Sequence, residues 1–334
     1  MTEVTVVGAG VVGLATAYEL ARAGHDVVVY EQFEVGHDRG SSHGRSRIFR
    51  LAYAEADWVR LAQEAFEGWR RWEQESGEQL LELHGLIEIV RDLSESSAST
   101  LERCGVQWEQ LEADEVERRF PVCVPRGSVA MFQPEAGIAR ADLTLAFLAG
   151  ALDVRERTPA QRLAEVDADV VVCAAGSWAR ELLAADGIEL PVRVTRETVA
   201  YFRLSDPRPV PSVVLFKPER HLHDMYALAD PEFGLKVGVH HAGPEVGPGG
   251  VGGPDPDLVA RMEDWVGEVF PLCAPHAVHA ETCLYTTTGD ERFVLERHGR
   301  IVVGSACSGH AFKFAPAVGS RLAQLAIEGL SSGS

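Results

Sequence analysis

Positive charge is the first thing this sequence lacks. Its 31 Lys plus Arg stand against 50 Asp plus Glu in 334 residues, a formal net charge of -19. A field of that sign repels polyanions, which excludes nucleic acid and anionic membrane surfaces as partners. Cysteine is sparse as well: the six, at 104, 123, 173, 273, 283 and 307, form no C-x-x-C pair and cannot build a disulfide scaffold. Long apolar runs are absent too. None approaches the roughly 18 residues of a spanning helix, and "MTEVTVVGAG" has no basic region leading a long apolar stretch, so the expected location is cytoplasmic.

What is present is ordinary for a folded chain, 46% apolar and 24% charged, with a length that calls for two interleaved domains or one large α/β unit. The first thirty residues carry the clearest pattern. Val4, Val6 and Val7 form a short buried strand, Gly8, Gly10 and Gly13 follow as G-x-G-x-x-G, residues 12 to 23 read as helix stopped by Gly24, and Val27 to Tyr30 form a second strand ending at Glu31. Gly8 permits the turn, Gly10 lets backbone approach a pyrophosphate, Gly13 lets helix and strand pack, and Glu31 accepts the hydroxyls of an adenosine ribose. This is a dinucleotide fingerprint, and Glu31 argues against a 2'-phosphate. NAD and FAD folds share it, so the remainder of the chain must choose.

Against the acidic background, "GSSHGRSRIFRLAY" gathers His43, Arg45, Arg47 and Arg50 within eight positions. The next segment, "DWVRLAQEAFEGWRRWEQESG", has helical spacing behind Asp57 as cap, with Trp58, Trp69 and Trp72 expected in the core. Strand, turn and helix recur in "DADVVVCAAGSWARELL"; from Pro191 onward β-type runs dominate, and the Gly- and Pro-rich stretch 242 to 257 reads as a mobile loop, either a flap or a plain solvent loop. On the strand "FGLKVGVHH", Lys236, Gly238 and His240 share one face, and the glycine leaves room there for a ligand. The pairs His221 and His223, and His240 and His241, lack third and fourth ligands at sensible spacing, so no metal is expected. The chain closes with strand 301 to 303, a turn from Gly304 to Gly309, and a helix from near Pro316.

Four separated motifs, "GAGVVG", "GSSHGRSRIFRLAY", "TCLYTTTGDERFV" and "SGHAFKF", resemble in order and along the whole chain the monomeric sarcosine oxidase and N-methyltryptophan oxidase group of the glycine/D-amino-acid oxidases. The resemblance implies an enzyme with FAD held covalently through Cys283, oxidising a secondary or cyclic amino acid to an imine while O2 becomes H2O2. It implies that Arg50 and Lys313 clamp the substrate carboxylate beside the pocket aromatic Tyr226, a planar fork and a point charge. Lys236 is implied where O2 meets the flavin, Arg47 and His43 as positive charge beside the ring, and His240 and His310 as pocket histidines. The cofactor-binding set expected is Gly8, Gly10, Val11, Val12, Gly13, Glu31, Gln32, Ser41, Ser42, His43, Arg47, Cys283, Gly309, Phe312 and Lys313. Attachment needs a positioned, partly ionised Cys283 thiol.

The expected architecture is α/β with mixed α+β character: a Rossmann-like FAD-binding domain (1–80, 136–185, 284–334) interleaved with an antiparallel-sheet substrate domain (81–135, 186–283). A monomer is expected. Three features depart from the family pattern: the short segment between Leu152 and Asp169 in place of a β-meander, Arg45 adding charge beside the flavin, and Ser42 replacing a histidine. Two rival readings keep the flavin: a dehydrogenase passing electrons to a quinone or protein, and a flavin-binding protein without turnover.

Overall fold

The computed structural model describes residues 2–215, 225–250 and 252–328; His221 and His223 lie outside them. Valine-rich segments too short to be helices pair into a six-stranded sheet ordered Val294–His298, Ile301–Ser305, Val170–Cys173, Glu3–Val7, Asp26–Tyr30, Asp153–Arg155. Its strands are parallel except the first pair, as a doubly wound layer requires. Helices Val11–Arg22 and Ala315–Ile327 pack together on it, with Gly319 so close to Ala15 that a Cβ would sit 2.7 Å from its backbone. The short segment after Leu152 supplies only the edge strand and one turn at Leu163–Glu165.

The second layer is an eight-stranded sheet: His279–Thr288, Val192–Arg203, Gly234–Val239, Met225–Asp230, Ser212–Leu215, Leu86–Val90, Val129–Gln133, Glu109–Leu111. It is antiparallel except where Ser212–Leu215 joins Leu86–Val90 in parallel. The strand His279–Thr288 runs unbroken through 283/284, where the sequence reading divides the domains. A small sheet of Ser46–Phe49, Gly137–Arg140 and Leu81–Glu82 stands beside it. Three apolar cores result. The largest unites the two long helices with Trp69 and Trp72, the second lies under the eight-stranded sheet against helix Pro256–Val269, and the third backs the six-stranded sheet. No described helix is long and apolar enough to cross a membrane.

Two local expectations change. Helix Ala56–Ser76 is capped at Glu55, which leaves Asp57 inside its first turn, where a carboxylate meets the positive end of the helix dipole. Residues 242–246 at the start of that stretch are tied down: the Ala242 and Gly243 amides donate to the buried Glu197 carboxylate, and Arg196 N–H and Val246 N–H exchange bonds with Pro244 and Val194. They continue beyond Gly234–Val239 along the same side of the strand Val192–Arg203.

Candidate active site

One cavity of about 1020 Å³ separates the two layers. At one end lies the glycine turn. Gly8 has φ 107°, a conformation that favours glycine, and a Cβ there would meet Ala174 O at 2.5 Å; a Cβ on Gly13 would lie 1.9 Å from Gly8 O. The turn therefore closes only with hydrogen at both positions, and the start of helix Val11–Arg22 faces the cavity. Ser42 Oγ accepts the Val11 amide at 3.0 Å. Glu31 is buried at the rim, taking Ala9 N–H at 2.8 Å on one oxygen and Phe33 N–H at 2.9 Å on the other. Each oxygen keeps a lone pair free for a hydroxyl. Val12, Gln32 and Ser41 line the same end, and Ser41 Oγ donates to Leu284 O.

The eight-stranded sheet forms the opposite wall, and its register decides which side chains do so. Residues opposite one another across strands share a face. The row Glu88, Val214, Tyr226, Gly238, Val199, Glu281 therefore projects to one side, with Leu228, Lys236 and Tyr201 beside it. The grouping of Lys236, Gly238 and His240 is as the alternation requires. The room beside Gly238 is not a ligand's: a Cβ there would lie 2.4 Å from the Tyr226 ring, so the glycine accommodates the tyrosine.

At the far end Arg50, Lys313, Tyr53, Trp58, His240 and His310 meet; Phe312 and Gly309 line the turn that carries Lys313. Arg50 stacks 4.5 Å above the Tyr53 ring and lies 3.7 Å from Glu88, whose carboxylate is fully buried and takes Ser97 N–H and Oγ–H at 2.8 Å each. Arg50 Nη1 has no hydrogen-bond partner among the described residues. Lys313 is buried, and its Nζ donates to His310 O at 2.9 Å. Trp58 thus belongs to the cavity wall, while Trp69 and Trp72 are core as expected.

The electrostatics correct three expectations. His43 is not a cation: burial, then Arg47, lower its pKa to about 4, and its Nε2 lies 3.1 Å from Thr282 O, so that Nδ1 carries the lone pair. Arg45 does not reach the cavity. It pairs with Glu232 at the surface, its side chain 40% exposed. Cys283, half-buried in the cavity wall, is a thiol in the free protein, since burial raises its pKa to about 11 against the pull of Arg47 and Lys236. Arg47 itself holds the loop by donating to the carbonyls of Ser41, His43 and Ser46 at 2.9, 2.5 and 2.8 Å.

His240 and His310 are neutral as well, His310 lowered to about 3 by burial and Lys313, His240 well down by burial and His241. Lys236 falls to about 8 through burial and Arg47, with Glu281 at 3.9 Å opposing them. The pair His240 and His241 gains Glu291, the three potential ligand atoms lying within 4.8 Å. His241 Nε2 lies 3.5 Å from Glu291 Oε1.

Sequence reading passed over the two acids at the ends of the row, Glu88 and Glu281. Their signals were present: a carboxylate in the middle of the apolar strand "LIEIV", and one two residues before Cys283, hence on its face. A third signal was the rarity of lysine. Of three in the chain, at 217, 236 and 313, two line this cavity.

The cavity suits FAD on its own evidence. It has the volume, a cradle that a Cβ would fill, and buried polar atoms left unpartnered along its length at His43 Nδ1, Arg50 Nη1 and Thr286 Oγ1. The model of the FAD dependent oxidoreductase (DAO) family matches residues 3–325. The chain belongs to that family. Among FAD dependent oxidoreductases with names, it is 33% identical to the peroxisomal sarcosine oxidase of Homo sapiens over 97% of this chain and 91% of that one. It is 31% identical to the monomeric sarcosine oxidase of Streptomyces avermitilis over 99% and 94%. The solved open form of NikD, described as an unusual amino acid oxidase essential for nikkomycin biosynthesis, superposes with a TM-score of 0.86 at 27% identity, covering 100% of this chain and 95% of that one. The oxidoreductase class and the two-layer α/β architecture expected from the motifs stand.

Proposed function

We propose that this oxidoreductase converts a secondary or cyclic amino acid, sarcosine-like or proline- and pipecolate-like, into its imine, with O2 as electron acceptor and H2O2 as product. The observation that carries the reading is the convergence of the half-buried Arg50 and the buried Lys313 at the end of the cavity remote from the dinucleotide cradle. A planar guanidinium with an unpartnered nitrogen and a lysine nitrogen opposite it define a carboxylate site. The sarcosine oxidase relatives act on such a compound by name, which supports the reading.

Arg50 and Lys313 hold the carboxylate, and Tyr53, Trp58 and Tyr226 wall the substrate from water. The uncharged His240 and His310 offer the substrate ammonium no counter-charge, and Arg50 nearby disfavours it, so the pocket favours the neutral amine, the form whose C–H bond can be oxidised. FAD, when bound, accepts the two electrons released from that bond and delivers them to O2. Lys236, held against Tyr201 at 5.3 Å and Glu281, stabilises the negative charge that develops as O2 is reduced. Arg47 supplies positive charge on the same side.

Cys283 is the attachment point. Its Sγ would hold FAD through a thioether to a ring methyl carbon, with the two protons and two electrons given up by thiol and methyl passing to O2 as H2O2. The protein works as a monomer, as the name of the Streptomyces relative has it.

Acid precipitation tests the link: a yellow pellet from wild type and a colourless one from Cys283→Ala are expected, and yellow in both would move the link elsewhere. Turnover of sarcosine or pipecolate should give one H2O2 per imine. Turnover supported by a quinone with no H2O2 would replace the oxidase reading with a dehydrogenase.

A further inference from the structure

An amino acid reaches the site as a zwitterion, and its ammonium has no lone pair to assist C–H oxidation. The proton must pass to a group that lines the pocket. Charging His240 or His310 would place a further cation beside Arg50 and the lysine in a low-dielectric space. Glu88 is fully buried behind Arg50 and does not line the cavity, so a substrate ammonium does not reach it. Lys313 remains. Its Nζ has one acceptor, His310 O at 2.9 Å, and no carboxylate within 4 Å among the described residues. The groups around it are Arg50, Tyr53, His240 and His310: one cation, a neutral phenol and two neutral imidazoles. An ammonium buried there without an anion is costly, and burial and Arg50 both displace its equilibrium toward the free amine.

Resting on the clamp reading above, we infer that Lys313 enters the cycle as an uncharged amine and accepts the proton that the substrate's ammonium must lose. The carboxylate seats between Arg50 and Lys313, and its negative charge reverses the preference of Nζ. The substrate N–H bond breaks and an Nζ–H bond forms. No electrons change hands and no solvent proton is needed. In an α-amino acid one carbon joins amine and carboxylate, so a group touching the carboxylate is within reach of the amine. One transfer creates both the neutral amine required for oxidation and the ammonium–carboxylate pair that holds it.

The test uses holoenzyme labelled at the lysine side-chain nitrogens, where three lysines give three NMR signals assigned with Lys236→Met and Lys313→Met. The probe is methoxyacetate, which has the carboxylate of sarcosine and an ether oxygen in place of the ammonium. Lys313 should read as a neutral amine in the free enzyme and an ammonium in the complex, with about one proton per site taken from solution. Lys313→Arg keeps a permanent charge, so it should bind methoxyacetate without proton uptake, and its flavin reduction by sarcosine should slow at neutral pH and recover as pH rises. A Lys313 already charged in the free enzyme, or binding without proton uptake in wild type, would overturn the assignment while leaving the clamp in place. Unchanged methoxyacetate affinity in both Arg50→Ala and Lys313→Met would instead remove the clamp, and the inference with it.

Discussion

The two cavity lysines lie on opposite sides of the same space with opposite surroundings. Lys236 extends from the eight-stranded sheet and has an acid, Glu281, at 3.9 Å; Lys313 comes from the turn before the last helix and has none within 4 Å among the described residues. The arrangement is reciprocal along one row of the sheet. Glu281 ends the row beside Lys236, while Glu88 ends it beside Arg50 and leaves Lys313 unpaired. A lysine with a counterion is suited to remain a cation and stabilise charge elsewhere. A lysine without one is suited to receive it. The same side chain thus does two jobs according to where two glutamates fall in a β register.

The comparison breaks hardest at the Arg50 end. Arg50→Ala leaves Glu88 buried without its cation and removes the fork, a loss of the kind worth about 2–5 kcal/mol. It should lower kcat/KM for a carboxylated amine at least a hundredfold, with Arg50→Lys failing to restore it; steady-state kinetics with equal activity would refute the clamp. At the other end Lys236→Met should slow reoxidation of reduced enzyme by O2 by about a hundredfold or more, while anaerobic flavin reduction stays near wild type. Stopped-flow traces that show both half-reactions falling together would assign Lys236 to the substrate instead.

Smaller effects sharpen the contrast between the two acids. Lys236 should lose its charge as pH rises through about 8, and its oxygen reaction should fall with it. Because Glu281 holds that pKa up, Glu281→Gln should move the inflection to lower pH and reduce reoxidation several-fold at mildly alkaline pH. An unmoved inflection would mean that the pair at 3.9 Å has no electrostatic consequence. Glu88→Gln should act the other way, freeing Arg50 from a competing anion and tightening methoxyacetate several-fold by titration. Weaker binding would show that Glu88 serves to hold Arg50 in place.

The parts legible in the sequence were those set by local rules. The glycine turn, its strand and helix, and the alternation that groups Lys236 with His240 follow from backbone geometry over a few residues, and Arg50 and Lys313 stood out as cations set among bulky apolar neighbours. Charge states were not legible. His43 and Cys283 reverse their expected ionisation because burial, a property of the assembled fold, acts together with Arg47 on His43 and outweighs the nearby cations at Cys283. Arg45 lies just before the short strand Ser46–Phe49 and Arg47 within it, and the partner of Arg45, Glu232, is remote in sequence. Glu88 could be seen as an odd acid in an apolar strand, but its neighbours Arg50 and Val214 come from a small sheet and from the parallel joint at Ser212–Leu215. The Gly238 position shows the limit most plainly, since the space it leaves belongs to a tyrosine one strand away.

The central claim, that the cavity orients a carboxylated amine for oxidation, is tested most directly by anaerobic absorbance of the flavin after mixing with matched pairs of amines. Sarcosine, proline and pipecolate should include at least one compound that bleaches the yellow enzyme, and dimethylamine, pyrrolidine and piperidine, which lack the carboxylate, should leave it yellow. Equal bleaching with and without the carboxylate, or no bleaching by any member of the series, would contradict it.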